Sequence, residues 1–473
     1  MDTARRKPLA APSQFGVTRL TARLAPSPPE KGLLGHLGPI KNDPLNFLQR
    51  TSREQGGVAR LRFGPLTAHV VSAPEGVRRI LLDNVDNYDK RSRGYEKMRE
   101  FLGAGLLTSE GEFWKRQRRI ALPAFHHRRV AGFADVFVRY ADELADVWLA
   151  RPADSGPLDV AAQMNHLTLR IVGTTLMSTD LTGDAKEVGD GLSVVLKEID
   201  RRVTNVFPFL EALPTPRNLR YRSACRTLDT LVRRLIEDRR AMAEDARPED
   251  LLSMLMEASD EETGERMSDE QLRDELMTIM LAGHETTANS LSWTLYLLSL
   301  HPGVRRRLEA ELDSVLGDRP PNAQDYGRLI YTRQVLQESL RLYPPAWFIG
   351  RRAREADEIL GYPIPADSMV FVSPWLTHRL PDVWPNPEGF DPDRFDGAKA
   401  PGSSTFRYFP FGGGPRVCIG KGFAMMESVL VLATLLRRVR ADMVQGWPVE
   451  LEPVVTLRPR FGLGMTVTSR GGQ

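Results

Sequence analysis

The sequence predicts a mainly α-helical protein with small β-sheets, and three observations carry that prediction. Helical apolar periodicity runs through much of the stretch from about residue 74 to residue 300. Within it, one helix of roughly thirty residues starts at Ser268 and would form a rod about 45–50 Å long. Strand-like alternation is confined to segments near the two ends, at residues 57–72, 353–371 and 455–469.

Taken in order, the first 28 residues are basic and Pro-rich, with no apolar run long enough for a signal peptide or a membrane span. They are expected to form a disordered leader, an organelle transit peptide being the other reading, and residues 29–473 a single domain. The stretch "GVARLRFGPLTAHVVS" then reads as two strands joined by a Gly-Pro turn. The long helix opens on a capping box, Ser268 with Gln271, and Asp269 and Glu270 complement its dipole. His301-Pro302 ends it. It is apolar on nearly every face except at "GHETTAN", so it should be buried at the centre of the domain, and that polar middle argues against a membrane span.

Composition narrows the function. No linker or internal repeat divides the 473 residues, and a hydrophobic content of 41% supports one large core. A formal charge of +3 is too small for a dedicated nucleic-acid binder. The two cysteines, Cys225 and Cys418, exclude a disulfide scaffold and fit a reducing compartment, so a cytoplasmic location is expected.

Two segments break local rules. Gly283 sits inside the long helix, where it costs about 1 kcal/mol relative to alanine, and Glu285, Thr286 and Thr287 follow it. Ala282 and Gly283 would let a flat ligand reach the backbone, and a threonine hydroxyl could bond a carbonyl one turn back or a ligand. A ligand site and a simple kink both fit this segment alone. A zinc-protease helix does not, because Ala288 stands where its second histidine would be. The second segment is "FGGGPRVCIG", residues 411–420. Gly412, Gly413 and Gly414 permit left-handed or bulged backbone, Pro415 stiffens the turn, and Gly420 allows a close approach. A helical run follows, so the Cys418 sulfur faces a helix N-terminus, which favours a thiolate. Nucleophile, redox sensor and metal ligand are the roles open to it. No Cys/His cluster accompanies it as structural zinc requires, whereas a haem iron accepts one axial cysteine, with Arg416 available to an acidic edge of the macrocycle.

The spacing Phe411, Gly414, Arg416, Cys418, Gly420 closely resembles the haem-binding signature of the cytochrome P450 family, and the resemblance extends from about residue 29 to residue 468. It implies the family's fold, with the long helix crossing the haem. "AGHETT" resembles the oxygen-activation segment, making Glu285 and Thr286 the acid–alcohol pair that delivers protons. "ESLR" and "FDPDRF" imply a structural triad of Glu338, Arg341 and Arg394, although Asp393 stands where the family often has Glu. "EFWKRQRR" implies that Trp114 and Arg118 meet the haem propionates, as does Arg351, with the adjacent Arg352 leaving the register open.

The resemblance further implies a haem b monooxygenase that inserts one atom of O2 into a C–H or C=C bond, with electrons ultimately from NAD(P)H. A peroxide-driven hydroxylase or a haem isomerase on the same fold is the alternative, opposed by the Glu285–Thr286 pair; a haem-based sensor is the non-enzymatic one. With about fifty residues after Cys418, the expectation is no fused electron donor and an external ferredoxin or flavodoxin with its reductase. Lys115, Arg116, Arg119, Arg128, Arg129 and Lys421 are candidates for its docking patch. Family-like positions at 95–107 and 206–213, with Pro345, Ala346, Trp347, Phe348, Thr456 and Leu457, would line a mainly apolar pocket. A hydrophobic small molecule such as a fatty acid or terpenoid is the expected substrate, and the protein is expected to act as a monomer.

Overall fold

The computed structural model describes residues 23–471 except 31, 153, 180–184, 204, 206–207, 261, 398–399 and 403–404. Most of residues 1–28, the expected leader, therefore lies outside the described residues. Its last part does not behave as a leader: Ala25 is buried, and the Pro26 carbonyl accepts a hydrogen bond from Arg60 N at 2.8 Å. Arg60 lies on an edge strand, whose free amides can recruit an extended segment, so the packed unit begins before residue 29.

The nine helices that frame the site are α1 (Arg93–Leu102), α2 (Gly111–Ala121), α3 (Ala134–Leu149), α4 (Val160–Met177), α5 (Ala185–Val203), α6 (Pro216–Ala241), α7 (Asp269–Leu300), α8 (Ile330–Leu342) and α9 (Lys421–Arg438). A five-stranded sheet is built from β1 (Val58–Phe63), β2 (Leu66–Val71), β3 (Tyr88–Asp89), β4 (Ile349–Ala353) and β5 (Met369–Val372), in the order β1-β2-β5-β4-β3. β1 and β2 form the expected hairpin around Gly64 and Pro65; β2 and β5 run parallel, the other pairs antiparallel. The strands at 455–469 belong to two small sheets: β6 (Val439–Met443) pairs with β9 (Gly464–Ser469), and β7 (Leu451–Pro453) with β8 (Leu457–Pro459).

The capping box is formed on both sides, with Ser268 Oγ accepting from Gln271 N and Gln271 Oε1 from Ser268 N at 2.8 Å. α7 is the axle of the fold. It packs along α4 and also meets α6, α8 and α9, which explains why its apolar residues surround it. Leu272, Leu276 and Leu291 are fully buried, each contributing about 2 kcal/mol of apolar transfer. Gly283 is where α4 comes closest: an added Cβ would lie 3.3 Å from Val172 Cγ2. Thr168 Oγ1 on α4 donates to the His284 carbonyl at 3.0 Å across the same crossing. Among the described residues, no helix is long and apolar enough to cross a membrane.

Candidate active site

The cysteine loop owes its shape to residues far away in the chain. Gly414 has φ +65°, and a Cβ there would sit on the Leu81 carbonyl oxygen; a Cβ on Gly413 would meet the Phe406 ring. Cys418 N closes the loop by donating to Phe411 O at 3.0 Å, and α9 starts three residues later. A Cβ on Gly420 would have only the Cys418 sulfur and Phe125 within reach, both at 3.9 Å.

Cys418 opens into a cavity of about 370 Å3 between α7, the loop and the β4 strand. Walls that shut out bulk water push its thiol pKa up, against the amides of Gly420 and Lys421 and the charges of Arg118 and Lys421. The helix N-terminus that follows favours the thiolate, desolvation opposes it, and a cation held against the sulfur would favour its ionisation.

A second part of the cavity holds four cations, Lys90, Arg118, Arg351 and Arg416, with the Glu110 carboxylate acting on Lys90 and Arg416. Arg416 pairs with Glu110 at 3.0 Å and lies over the Trp114 ring, 3.9 Å from its centroid. Arg118 donates to the Val417 carbonyl at 2.9 Å, beside the cysteine. Lys90 Nζ donates to Leu107 O at 2.7 Å, and burial together with Arg351 and Arg416 drives its pKa well below the usual lysine range. Burial likewise brings Arg416 down to about 10. So much desolvated positive charge is stable only against an anionic ligand. A flat group with two carboxylates on one edge and a metal at its centre fits both this cluster and the nearby sulfur, and haem is such a group.

The register of β4 separates the adjacent arginines. Arg351 lines the cavity, whereas Arg352 forks onto Asp89 at 2.7 and 3.2 Å. On α7, Ala282, Gly283, Glu285 and Thr286 all line the cavity. Thr286 Oγ1 donates back to Ala282 O at 2.6 Å. Glu285 is turned to Arg458, 3.3 Å away, and burial raises its pKa although Arg458 and Thr456 oppose the shift.

Glu338 and Arg341 are both fully buried and joined by two hydrogen bonds of 2.7 and 2.8 Å. Arg394 reaches Glu338 at 3.3 Å, and Arg341 also donates to the carbonyls of His378, Pro387 and Gly389. Asp393, the position that departs from the family pattern, pairs instead with Arg307 at 2.8 Å.

Two expected substrate contacts are corrected. Pro345, Ala346 and Phe348 line the cavity, but Trp347 donates to Val454 O at 2.9 Å and packs with Leu457 and Trp375 in a separate core. Leu457 is fully buried there; its neighbour Thr456 faces the cavity instead. Residues 206–207 of the expected 206–213 wall lie outside the described residues. The basic patch is narrower than expected. Lys115 pairs with Glu112, Arg116 with Glu265, Arg119 with Asp260 and Glu262, and Arg129 with Glu249, leaving Arg128 and Lys421 without an ion pair among the described residues.

Several site residues were not legible in the sequence. Lys90 belongs to no motif quoted above, and Arg458 lies 173 positions from Glu285. Asp274 and Glu275, near the start of α7, hold the cavity-lining loop: Asp274 accepts from Ala104 N at 2.6 Å and Glu275 from Leu106 N at 3.1 Å. Two acids among the leucines that open a buried helix were the signal that could have found them.

Known proteins agree with this geometry. The family model described as cytochrome P450 matches residues 25–463. Cyclooctatin synthase of Streptomyces melanosporofaciens is 38% identical, over 90% of this chain and 91% of its own. Pentalenene oxygenase of Streptomyces avermitilis is 33% identical over the same shares. The chloroplastic LUTEIN DEFICIENT 5 protein of Arabidopsis thaliana is 35% identical, over 88% of this chain and 72% of its own. A sulfur on the wall of a cavity beside a cationic cluster, facing a polar break in the longest helix, is thus accompanied by likeness along almost the whole chain: the protein belongs to the cytochrome P450 family of haem-thiolate monooxygenases.

Proposed function

We propose that the protein oxygenates an isoprenoid hydrocarbon or alcohol at a C–H or C=C bond. The single observation behind this reading is the cavity wall away from the cations, which is built from Leu106, Leu107, Leu196, Ile279, Phe348 and Val455. Such a surface binds by apolar burial and shape. Relatives whose names give pentalenene, cyclooctat-9-en-7-ol and carotene as what they act on support the same class.

Cys418 would hold the haem iron, and Lys90, Arg118, Arg351 and Arg416, with Trp114, its acidic edge. Haem held by the Cys418 thiolate would supply the O–O cleavage chemistry. The amides of Gly420 and Lys421 donate to the sulfur and tune its basicity. Thr286, bonded to Ala282 O at rest, can turn its hydroxyl into the cavity. Glu285, whose pKa burial raises, would be its proton source. The leucines and Phe348 exclude water from the reacting carbon. Electrons would come from NAD(P)H through an acidic ferredoxin or flavodoxin steered to the face bearing Arg128 and Lys421.

Reduced-plus-CO difference spectroscopy tests the thiolate first: a nitrogen-ligated spectrum in freshly purified protein would overturn it. Turnover of pentalenene and of cyclooctat-9-en-7-ol with NADPH and a ferredoxin couple then tests the substrate class. A product heavier by one oxygen is expected from at least one, and none from either would overturn the class.

A further inference from the structure

The segment leading into α6 exposes an apolar surface. Phe209, Leu210, Leu213 and Leu219 are 67%, 38%, 46% and 49% exposed, and large apolar side chains gathered in water mark a place where something docks. Hydrogen bonds fix the shape of this surface. Thr215 caps α6 by accepting from Asn218 N at 3.2 Å. The Asn218 side chain donates to Leu210 O at 2.9 Å and to Leu213 O at 2.8 Å, and Arg222 donates to Ala212 O at 2.9 Å. Residues 210–213 are thereby folded against the first two turns of α6.

Positive charge lies beside it. Residues 212–228 contain four arginines and no acid. Arg217 pairs with Glu198 at 2.7 Å, whereas Arg220, Arg222 and Arg226 are exposed and without an ion pair among the described residues. Leu219, Arg222 and Arg226 stand at i, i+3 and i+7, on one face of the helix. Further along, a second cavity of about 420 Å3 opens between α5 and α6. Val188 of α5 forms one wall, and Ser223, Arg226, Thr227 and Thr230 supply polar groups, with Arg234 also at its border. Asp229, the acid next to Thr230, is turned instead to Arg233 and Arg273, at 2.9 and 2.6 Å. A guanidinium among hydroxyls is a donor set suited to phosphate.

We propose that this face docks on the surface of an anionic phospholipid bilayer, with Phe209, Leu210, Leu213 and Leu219 below the headgroups and a headgroup phosphate held by Arg226, Ser223, Thr227 and Thr230. The spacing suits both contacts. Seven residues of helix from Leu219 to Arg226 rise about 10 Å, and interfacial segments bury their apolar side chains about 5–10 Å deep. Such binding is reversible and needs both signals, apolar burial and charge. The surface adjoins the Cys418 cavity. Lys97 of α1 pairs with Glu211 at 2.9 Å and Arg93 donates to Asn205 O, while Tyr95 and Met98 of α1 line that cavity. A lipophilic substrate dissolved in the bilayer would meet the protein beside the cavity wall, a consequence that, unlike the docking itself, rests on the isoprenoid reading.

The test is flotation of the haem-loaded full chain with lipid vesicles. Vesicles of equal parts phosphatidylglycerol and phosphatidylcholine should carry the protein, at least about 10-fold more tightly than phosphatidylcholine alone. Phe209→Ser combined with Leu213→Ser should weaken binding about 10-fold, and Arg220→Gln and Arg226→Gln about 5-fold each. High salt should erase the arginine effects and leave the apolar one. Haem content and the reduced-plus-CO spectrum check that each variant is folded. No binding to the mixed vesicles, equal binding to phosphatidylcholine alone, or binding that these substitutions leave unchanged overturns the proposal. So does either other occupant: inorganic phosphate bound through Arg226 by a protein that ignores vesicles, or a dimer in sedimentation velocity that Phe209→Ser with Leu213→Ser dissociates. Turnover enters none of these readouts, so the isoprenoid reading stands or falls separately.

Discussion

Arg351 and Arg352 are neighbours on one strand and serve opposite sides of it: Arg351 borders the cavity with the other cations, while Arg352 grips Asp89 on β3. Arg351→Gln should therefore weaken haem retention, measured as haem per polypeptide after gel filtration. Arg352→Gln should retain haem fully and lower stability by ~1 kcal/mol in a denaturant melt, the scale of a part-exposed pair. Equal haem loss from both would remove the distinction.

Glu338→Ala should be far more damaging. It leaves the Arg341 guanidinium, 0% exposed, without its carboxylate, a loss of ~3–5 kcal/mol for a broken buried pair. We expect poor folding and apoprotein. Glu338→Gln, which keeps one acceptor for Arg341, should fold better and remain less stable than the parent in the same melt.

Thr286→Ala removes the hydroxyl that is bonded to Ala282 O and nothing from the packed core. Haem content and substrate-induced spectral shifts should stay normal, while peroxide released per NADPH consumed rises and oxygenated product falls by ~10-fold or more. Unchanged coupling would argue against a proton-delivery role.

Glu275 makes stability depend on pH. Burial raises its pKa from 4.5 to about 8, with Leu106 N pulling the other way. In the folded state it keeps a proton that the unfolded chain has released, so folding stability falls as pH rises from about 4.5 to about 8 and levels off above that. Glu275→Gln should flatten this slope in melts taken across the range. A slope unchanged by the substitution would show that Glu275 is not its source.

Much of this was legible because the physics was local. The capping box at Ser268 and the Gly-Pro turn between β1 and β2 are settled by neighbouring residues, and both formed as read. Glu338 and Arg341 lie three apart on a helix and had to meet, whereas Arg394 was attached to them only through the family pattern. What stayed hidden is long-range. Lys90 meets Arg416, and Arg458 meets Glu285, only after the chain has folded, and charge patterning along the sequence does not encode such encounters. Trp347 and Leu457 were misplaced for the same reason: Trp347 is held away from the cavity by Val454, Leu457 and Trp375, partners distant in sequence or on another segment.

The Leu81 carbonyl that occupies the space beside Gly414 has a consequence for biogenesis. The prosthetic group's seat is divided between the opening quarter of the polypeptide, which supplies Leu81, Lys90, Trp114 and Arg118, and the closing eighth, which supplies Arg416 and Cys418. Porphyrin capture must therefore wait until the chain from Leu81 to Cys418 has been made, and a chain cut short ahead of Cys418 should lose pigment while most of its helices can still form.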